Sequence, residues 1–508
     1  MALDEGDTLR VRTEQGEVHG VIDAGVRTWR GIPYAAPPTG PWRFRAPQPV
    51  QAHGDVLVAD SFGAIPMQRR GFEFMGGAGA ATPMSEDSLT LNISAPAQVS
   101  GTPRPVVVWL YGGAFALGGS RGVLYRGDRL VKDGDVIFVS LNYRLGVFGF
   151  TDFSAWSTPD QPLESNLGLR DQVAALAWVK RNIAAFGGDP DNVTVVGQSA
   201  GGMSVLCLMC APAAAGLFHR AVAMSPASSC ILGHARRTAL ARDLLIALGI
   251  DIADRKGGVG RALRHLPADR LVEASFRLFY DEAPDKHPGV LAMSPVVDGD
   301  FLPLHPIDAF RTGTAHRVPL VIGTMAREAA ILDRGLPLLP SSVPRLEAMF
   351  QATDPAVRDR VAATYKGYPS RRSAVDVGGD FVFWALSVQM AQAHAAFADT
   401  WMYRIDYATP LTRLVFGGAT HALDLPLLFG TTGEGDLGRF DLFRRRLSRQ
   451  VSRRFQDAFL DFVEGGSPGW PTYDPQTRRT RIIDAVDREE RDPNAARRMA
   501  WGDYRGPQ

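Results

Sequence analysis

The apolar positions of this chain fall into two kinds of pattern. "RPVVVWLYGG" (Arg104 to Gly113) and "GDVIFVSLNYR" (Gly134 to Arg144) are continuous, β-branched runs that stop at turn residues. Runs of this kind suit strands buried on both faces of a parallel sheet, where no position alternates toward water. "NLGLRDQVAALAWVKRNIAAFGG" (Asn166 to Gly188) repeats its apolar residues at helical spacing and ends on a Gly pair, which predicts a helix with a glycine stop. The short strand "NVTVVG" follows, then an apolar helix "GGMSVLCLMC". "VPLVIGT" (Val318 to Thr324) and "TWMYRIDY" (Thr400 to Tyr407) read as further strands. Strands alternating with helices predict an α/β fold, a mostly parallel sheet with right-handed crossovers and helices on both sides. Polar, Gly/Pro-punctuated stretches near residues 61–83, 250–290 and 330–375 are expected to run over the rim of that sheet, some of them shaping a site's mouth.

The join between the "NVTVVG" strand and the apolar helix carries the chemistry. "VTVVGQSAGG" places Ser199 between Gly197 and Gly201 at a strand-to-helix turn. So sharp a turn strains the serine backbone and needs nearly side-chain-free neighbours two residues either side. It lifts the hydroxyl to the positive end of the helix, where developing negative charge is favoured. Gly-x-Ser-x-Gly alone arises often by chance; the flanking strand and helix make it a nucleophile elbow.

A serine hydroxyl needs a base, and in this arrangement the chain order runs serine, acid, histidine. Of ten histidines, His19 and His53 precede the serine, and His394 sits in the periodic helix "VQMAQAHAAF". His421 follows a small, Gly-rich turn in "FGGATHALDLP", which suits an imidazole held over a neighbouring site. For the acid, Glu328 lies just beyond the "VPLVIGT" strand and would fix the imidazole tautomer. A surface glutamate beside Arg327 is the plainer reading of it, and Asp298 and Asp300 in "PVVDGDFLP" are rivals. An oxyanion needs backbone donors fixed beforehand. "WLYGGAFALGG" offers Gly113 and Ala114, and the residue after the nucleophile, Ala200, offers a third.

Composition narrows the partners more than the fold. The 508 residues are 45% hydrophobic and 21% charged with a formal charge of +1, an ordinary globular balance that points to neither nucleic acid nor an anionic membrane. The arginines of "RRRLSRQVSRRF" read as a solvated helix face. "MALDEGDTLRV" lacks the pattern of a secretory signal, and no uninterrupted apolar stretch spans a membrane. Three cysteines, Cys207, Cys210 and Cys230, are too few and odd in number for a disulfide scaffold. They fit a reducing, cytoplasmic setting, and the Cys207-x-x-Cys210 pair on an apolar helix reads as buried packing. No metal or organic cofactor is implied.

Taken together, "RGIPYAAPPTGPWRFRAPQPV", "SEDSLTLNI", "NYRLGVFGF", the whole block from "NLGLRDQ" to "GQSAGG", "SPVVDGDFLP" and "GATHALDLPLLFG" resemble the type-B carboxylesterase/lipase family, which includes bacterial para-nitrobenzyl esterases and cholinesterases. The resemblance runs nearly end to end. It implies an α/β-hydrolase fold over a single domain, residues 1–508, and a serine carboxylesterase that acts through an acyl-enzyme on small ester substrates. It implies Ser199 as nucleophile, His421 as base and Glu328 as acid, with Gly113, Ala114 and Ala200 as oxyanion donors. Ser225, in "AMSPAS", matches a position expected to hydrogen-bond near the triad. Carbamates or activated amides are alternative substrates for the same triad. A catalytically silent binding protein is the remote alternative, expected to have lost triad residues that this chain keeps.

The chain also departs from the family. Ser88 replaces a disulfide cysteine, and "FGAIPMQ" lacks the partner. Gln198 stands where a glutamate commonly precedes the nucleophile, so attraction of cationic substrates is not expected. Arg327 and Ala329 flank Glu328 in place of the usual acid motif.

Overall fold

The structure, a computed structural model of the chain, describes residues 7–71, 79, 81–254, 256–335, 338–433 and 445–507. Parts of the expected rim stretches 61–83 and 330–375 therefore lie outside the described residues. The β-branched runs assemble into an eleven-stranded sheet. In chain order its strands are β1 (Val21–Asp23), β2 (Val26–Pro33), β3 (Thr90–Pro96), β4 (Arg104–Leu110), β5 (Ile137–Leu141), β6 (Gly188–Gln198), β7 (Arg220–Met224), β8 (Leu320–Met325), β9 (Thr400–Ile405), β10 (Arg479–Ile483) and β11 (Arg488–Arg491). Across the sheet they lie in the order β11-β10-β9-β8-β7-β6-β4-β5-β3-β2-β1. The stretch from β5 through β4, β6, β7, β8 and β9 to β10 is parallel throughout, and the antiparallel pairings are confined to the two ends. The central strands are buried along almost their whole length, which is why their sequences lack alternation.

Helix α1 (Leu167–Asn182) continues as a 3-10 turn to Phe186 and stops at Gly187, whose φ of +91° a side chain would resist. Helix α2 (Ala200–Cys210) is buried at every position, so its all-apolar sequence reflects a place inside the protein. The Arg-rich helix α3 (Arg445–Gly465) buries Val451, Phe455, Phe459, Phe462 and Val463 on one stripe and turns Arg445, Arg449 and Arg453 outward, as read from the sequence. The 250–290 and 330–375 stretches carry helices, among them Gly258–His265, Ala268–Phe276, Val343–Thr353 and Pro355–Thr364. Their apolar residues face inward at helical spacing, a signal too diluted by Gly and Pro to stand out in the sequence.

Parallel strands all leave the sheet at one edge. Ser199 follows β6, the Gly112–Gly113 turn follows β4, Glu328 follows β8 and His421 lies on the loop beyond β9. Residues scattered over some 300 positions are thus delivered to the carboxyl edge, where open α/β sheets bind ligands.

Candidate active site

Crowding explains the serine turn. A β-carbon at Gly197 would collide with the Gly201 carbonyl, and one at Gly201 with the Leu110 carbonyl. Ser199 sits at φ +61°, ψ −122°, a conformation a side chain rarely adopts, and the surrounding bonds hold it there. Its N–H donates to Met224 O at 2.9 Å, and its carbonyl accepts from Met203 N at 2.9 Å and Ala227 N at 3.2 Å. The hydroxyl stands at the first turn of α2.

The loop expected to hold the oxyanion is built from the end of β4. Gly113 (φ +124°), Ala114 (+54°) and Phe115 (+59°) all take positive φ, and the turn closes through Ala116 N and Leu117 N, both donating to Gly113 O at 3.0 and 2.9 Å. The N–H groups of Gly113, Ala114 and Ala200 donate to no backbone carbonyl among the described residues. They remain available to an oxyanion. The loop is pinned from outside. Gln68 both donates to Gly118 O (2.6 Å) and accepts from Gly118 N (2.9 Å), and Gly146 N donates to Phe115 O (2.7 Å). The segment carrying Gly146 is tied to α1 by the buried pair Arg144–Asp171, bidentate at 2.8 and 2.6 Å.

Glu328 is buried, only 2% exposed, which removes the surface reading of it. One oxygen accepts from Met325 N at 2.7 Å and the other from His421 Nδ1 at 2.7 Å. The His421 loop is laid against it by backbone bonds, His421 N to Glu328 O (3.2 Å) and Arg327 N to Ala419 O (2.9 Å). Arg327 has a task of its own. Its guanidinium donates to Phe416 O (2.6 Å) and Asp376 (2.8 Å) and rests on Gly417 and Gly418, bracing the turn that leads to the histidine. The rival acids lie elsewhere. Asp298 accepts from Ser165, Asn166 and Leu302 N, and Asp300 pairs with Arg170 at the surface. His394 is a packed helix residue, its Nε2 2.8 Å from Val318 O.

Ser225, expected to hydrogen-bond near the triad, is fully buried beneath the elbow at φ +42°, and its Oγ has no hydrogen-bond partner among the described residues. Its backbone N–H carries the local bonding instead, to Gly323 O at 2.8 Å. Two other residues meet the His421 loop. Phe383, in the π-turn Asp380–Trp384, lays its ring over His421 at 4.4 Å between centroids. Phe115, Leu117, Met203, Phe381 and Trp384 pack into the core. The second is Asp424, three residues beyond His421 and fully buried. Among the described residues no side chain hydrogen-bonds its carboxyl oxygens, and only the amides of Asp424 and Leu425 approach them. Burial pushes this carboxyl up to about 7, with attraction to His421 opposing the rise and repulsion from Glu328 adding to it.

Between about pH 4 and about pH 7 the folded chain keeps a proton on Asp424 that the unfolded chain has released, so stability falls as pH rises through that window. Asp424→Asn cannot ionise. Its melting temperature is expected to gain on the parent progressively from about pH 5 to about pH 7 and to hold a constant lead above that. Thermal melts of both chains across this range check it, and a lead that does not change with pH would locate the titration elsewhere.

Ser199 and His421 border an apolar cavity of about 120 Å³, walled by Trp109, Tyr125, Leu291, Leu338, Leu339 and Phe383. Leu338 and Leu339 come from the 330–375 rim, as the sequence suggested for a site's mouth. Among the described residues, no Asp, Glu, Lys or Arg lines it. Cys230 does, and burial pushes its thiol up to about 12, so it stays protonated and inert. Cys207 and Cys210 are likewise buried and unpaired. No group of residues suited to hold a metal occurs among the described residues.

A strained serine turn beside a buried His–Glu pair, backbone amides that donate to no carbonyl among the described residues, and an apolar pocket suit acyl transfer. The comparisons agree. The model of the carboxylesterase family matches residues 7–497. The para-nitrobenzyl esterase of Bacillus subtilis is 37% identical over 496 residues, covering 96% of this chain and 97% of that protein. The phenmedipham hydrolase of Pseudarthrobacter oxydans is 30% identical over 91% of this chain and 92% of its own. Among solved structures, a PNB esterase superposes with a TM-score of 0.85 at 36% identity, over 97% of this chain and 99% of that one. A carboxylesterase of Geobacillus stearothermophilus gives 0.83 at 35%, over 97% and 100%.

Proposed function

The chain belongs to the carboxylesterase family, with the α/β-hydrolase fold and the activity of a serine carboxylesterase, and from that premise we propose that Ser199, His421 and Glu328 carry the reaction. The observation behind this reading is the buried 2.7 Å bond from His421 Nδ1 to Glu328, placed beside the strained Ser199 turn. With Nδ1–H held by the carboxylate, Nε2 is left as the base. His421 takes the hydroxyl proton as Ser199 Oγ attacks the ester carbonyl, and the N–H groups of Gly113, Ala114 and Ala200 receive the oxyanion. His421 then returns the proton to the departing alcohol. Water, activated by the same ring, releases the acid and frees the serine.

The substrates of this reading are uncharged esters with a short or single-ring acyl or alcohol part. An apolar cavity of ~150 Å³ holds a benzene molecule, and the space here, about 120 Å³, is of that order. A cation would enter without a carboxylate partner and lose its hydration. A choline ester is therefore expected to show kcat/KM lower, by roughly tenfold or more, than its uncharged carbon isostere. The test is a para-nitrophenyl ester panel from acetate to laurate together with that isosteric pair. A maximum at laurate, or a preference for the cation, would overturn the substrate class.

We read the chain as one domain, residues 1–508, and place it in the cytoplasm. The support for the location is three buried, unpaired cysteines, together with the finding that no helix among the described residues is long and apolar enough to cross a membrane.

A further inference from the structure

Gln198 lies between the oxyanion loop and the base, and the acyl-transfer steps give it no task. Its side chain is buried and borders the cavity. Its Nε2 is 3.2 Å from His421 Nε2, the atom that has to take the serine proton. Its Oε1 is turned toward Gly112, where an added β-carbon would come within 3.2 Å of it. No hydrogen bond joins Ser199 Oγ to His421 among the described residues; the amide occupies the ring nitrogen's accepting position.

A ring that gives Nδ1–H to Glu328 has one acceptor left, the in-plane lone pair on Nε2. An amide N–H on that lone pair favours the neutral ring and competes with the serine hydroxyl. Once the ring is protonated, the same nitrogen becomes a donor. A primary amide can meet that state as well, because half a turn about its terminal torsion presents Oε1 where the NH₂ was. A carboxylate at this position would serve only the protonated ring, and a hydrocarbon neither form.

We propose that Gln198 is a positioning residue for the esterase reaction: its amide holds His421 Nε2 as a neutral acceptor in the resting site, and reverses to accept Nε2–H while the ring carries the Ser199 proton. The inference rests on the Ser199–His421–Glu328 reading. As the bond from Oγ to the acyl carbon forms, the hydroxyl proton passes to Nε2 and the carbonyl π pair moves onto the oxygen held by the backbone amides. When the tetrahedral centre collapses, the bond to the alcohol oxygen breaks, the proton leaves Nε2 for that oxygen, and the amide turns back. Nothing is consumed beyond ester and water.

Other groups face the ring or its loop: Glu328 at Nδ1, Asp424 behind it, Tyr403 on β9, Tyr125 and Cys230 in the cavity wall, and the Arg327–Asp376 pair beneath the loop. Substitution at Gln198 leaves all of them in place, so a difference between Gln198 variants isolates this one contact.

The experiment measures the second-order rate of Ser199 labelling by an uncharged fluorophosphonate against pH, for the wild type, Gln198→Glu and Gln198→Met. This rate reports activation of the serine by the free base, whichever ester the enzyme prefers. A carboxylate within about 4 Å stabilises the protonated ring, so Gln198→Glu is expected to move the midpoint of the acid limb up by about one pH unit or more. Gln198→Met, similar in length without hydrogen-bonding capacity, is expected to lower the plateau roughly fivefold to tenfold, because hydrogen bonds to charged groups are the stronger ones. A side chain that merely filled space would leave the Gln198→Met plateau unmoved, so that plateau separates the two roles. A midpoint within about 0.3 unit of wild type in folded Gln198→Glu overturns the role, as does a Gln198→Met plateau within about twofold of wild type. If Gln198→Glu does not fold, Gln198→Met decides alone. A wild-type chain that the probe fails to label at Ser199 overturns the triad, and the Gln198 role with it. A labelled wild type with unmoved variants overturns the Gln198 role only.

Discussion

Ser199→Ala is expected to lower turnover of para-nitrophenyl butyrate by about 10⁶-fold while the protein stays folded and still binds the ester. The loss is that large because the steps act as a unit: without Oγ there is no acyl-enzyme, and the base and acid have nothing to activate. The fold should tolerate the change. Ser199 makes no side-chain cap bond to α2, and its backbone is held by Met224 O, Met203 N and Ala227 N, none of which involves the hydroxyl. Alanine is no worse suited to φ +61° than serine, since both carry a β-carbon. The melting temperature is therefore expected to stay within a few degrees. A residual rate of roughly 10³–10⁴ over water is expected from the amide donors and the pocket. Steady-state kinetics, a thermal melt and fluorophosphonate labelling check the three parts. A mutant retaining more than about one part in a hundred of wild-type kcat would place the nucleophile elsewhere.

The parts legible in the sequence share one property: their physics is local. β4 and β5 announce themselves because a strand covered on both faces must be apolar at every position. The Ser199 elbow does so because crowding at Gly197 and Gly201 is fixed by neighbours along the chain. Glu328 was harder to see. Its role depends on a loop 93 residues away, and Arg327 beside it suggested a surface turn until its guanidinium was found reaching Phe416 O and Asp376. Asp424 was invisible for a related reason, since an acid in the first turn of a short helix is ordinary and only its complete burial sets it apart. Phe383 shares its composition with Phe381 and Trp384, and only the π-turn decides which ring covers the histidine. At Gln198 the sequence showed a missing charge, whereas the structure shows a contact made.

Glu328→Gln is expected to cost about 10⁴ in kcat, with KM changing much less. Met325 N–H and His421 Nδ1–H both point at Glu328, one at each oxygen, at 2.7 Å. A carboxylate accepts both, but a glutamine amide has one acceptor and one donor end. If its oxygen faces Met325 N, its NH₂ faces the ring, Nδ1 must become the acceptor, and the ring proton moves to Nε2, where it blocks removal of the serine proton. If its oxygen faces the ring, the Met325 N–H is buried against an NH₂, a cost of about 1–3 kcal/mol. The first arrangement is the cheaper, so the variant folds with its base in the wrong tautomer. Glu328→Asp keeps both acceptors on a shorter arm that cannot span both partners, and its kcat is expected between wild type and Glu328→Gln. Steady-state kinetics of these variants beside Asp424→Asn make the test discriminating, because the buried Asp424 is the other carboxyl in reach of His421. A Glu328→Gln enzyme within about tenfold of wild type, alongside a far larger loss in Asp424→Asn, would move the acid from Glu328 to Asp424. The opposite pattern is expected, since only Glu328 receives the Nδ1 hydrogen bond.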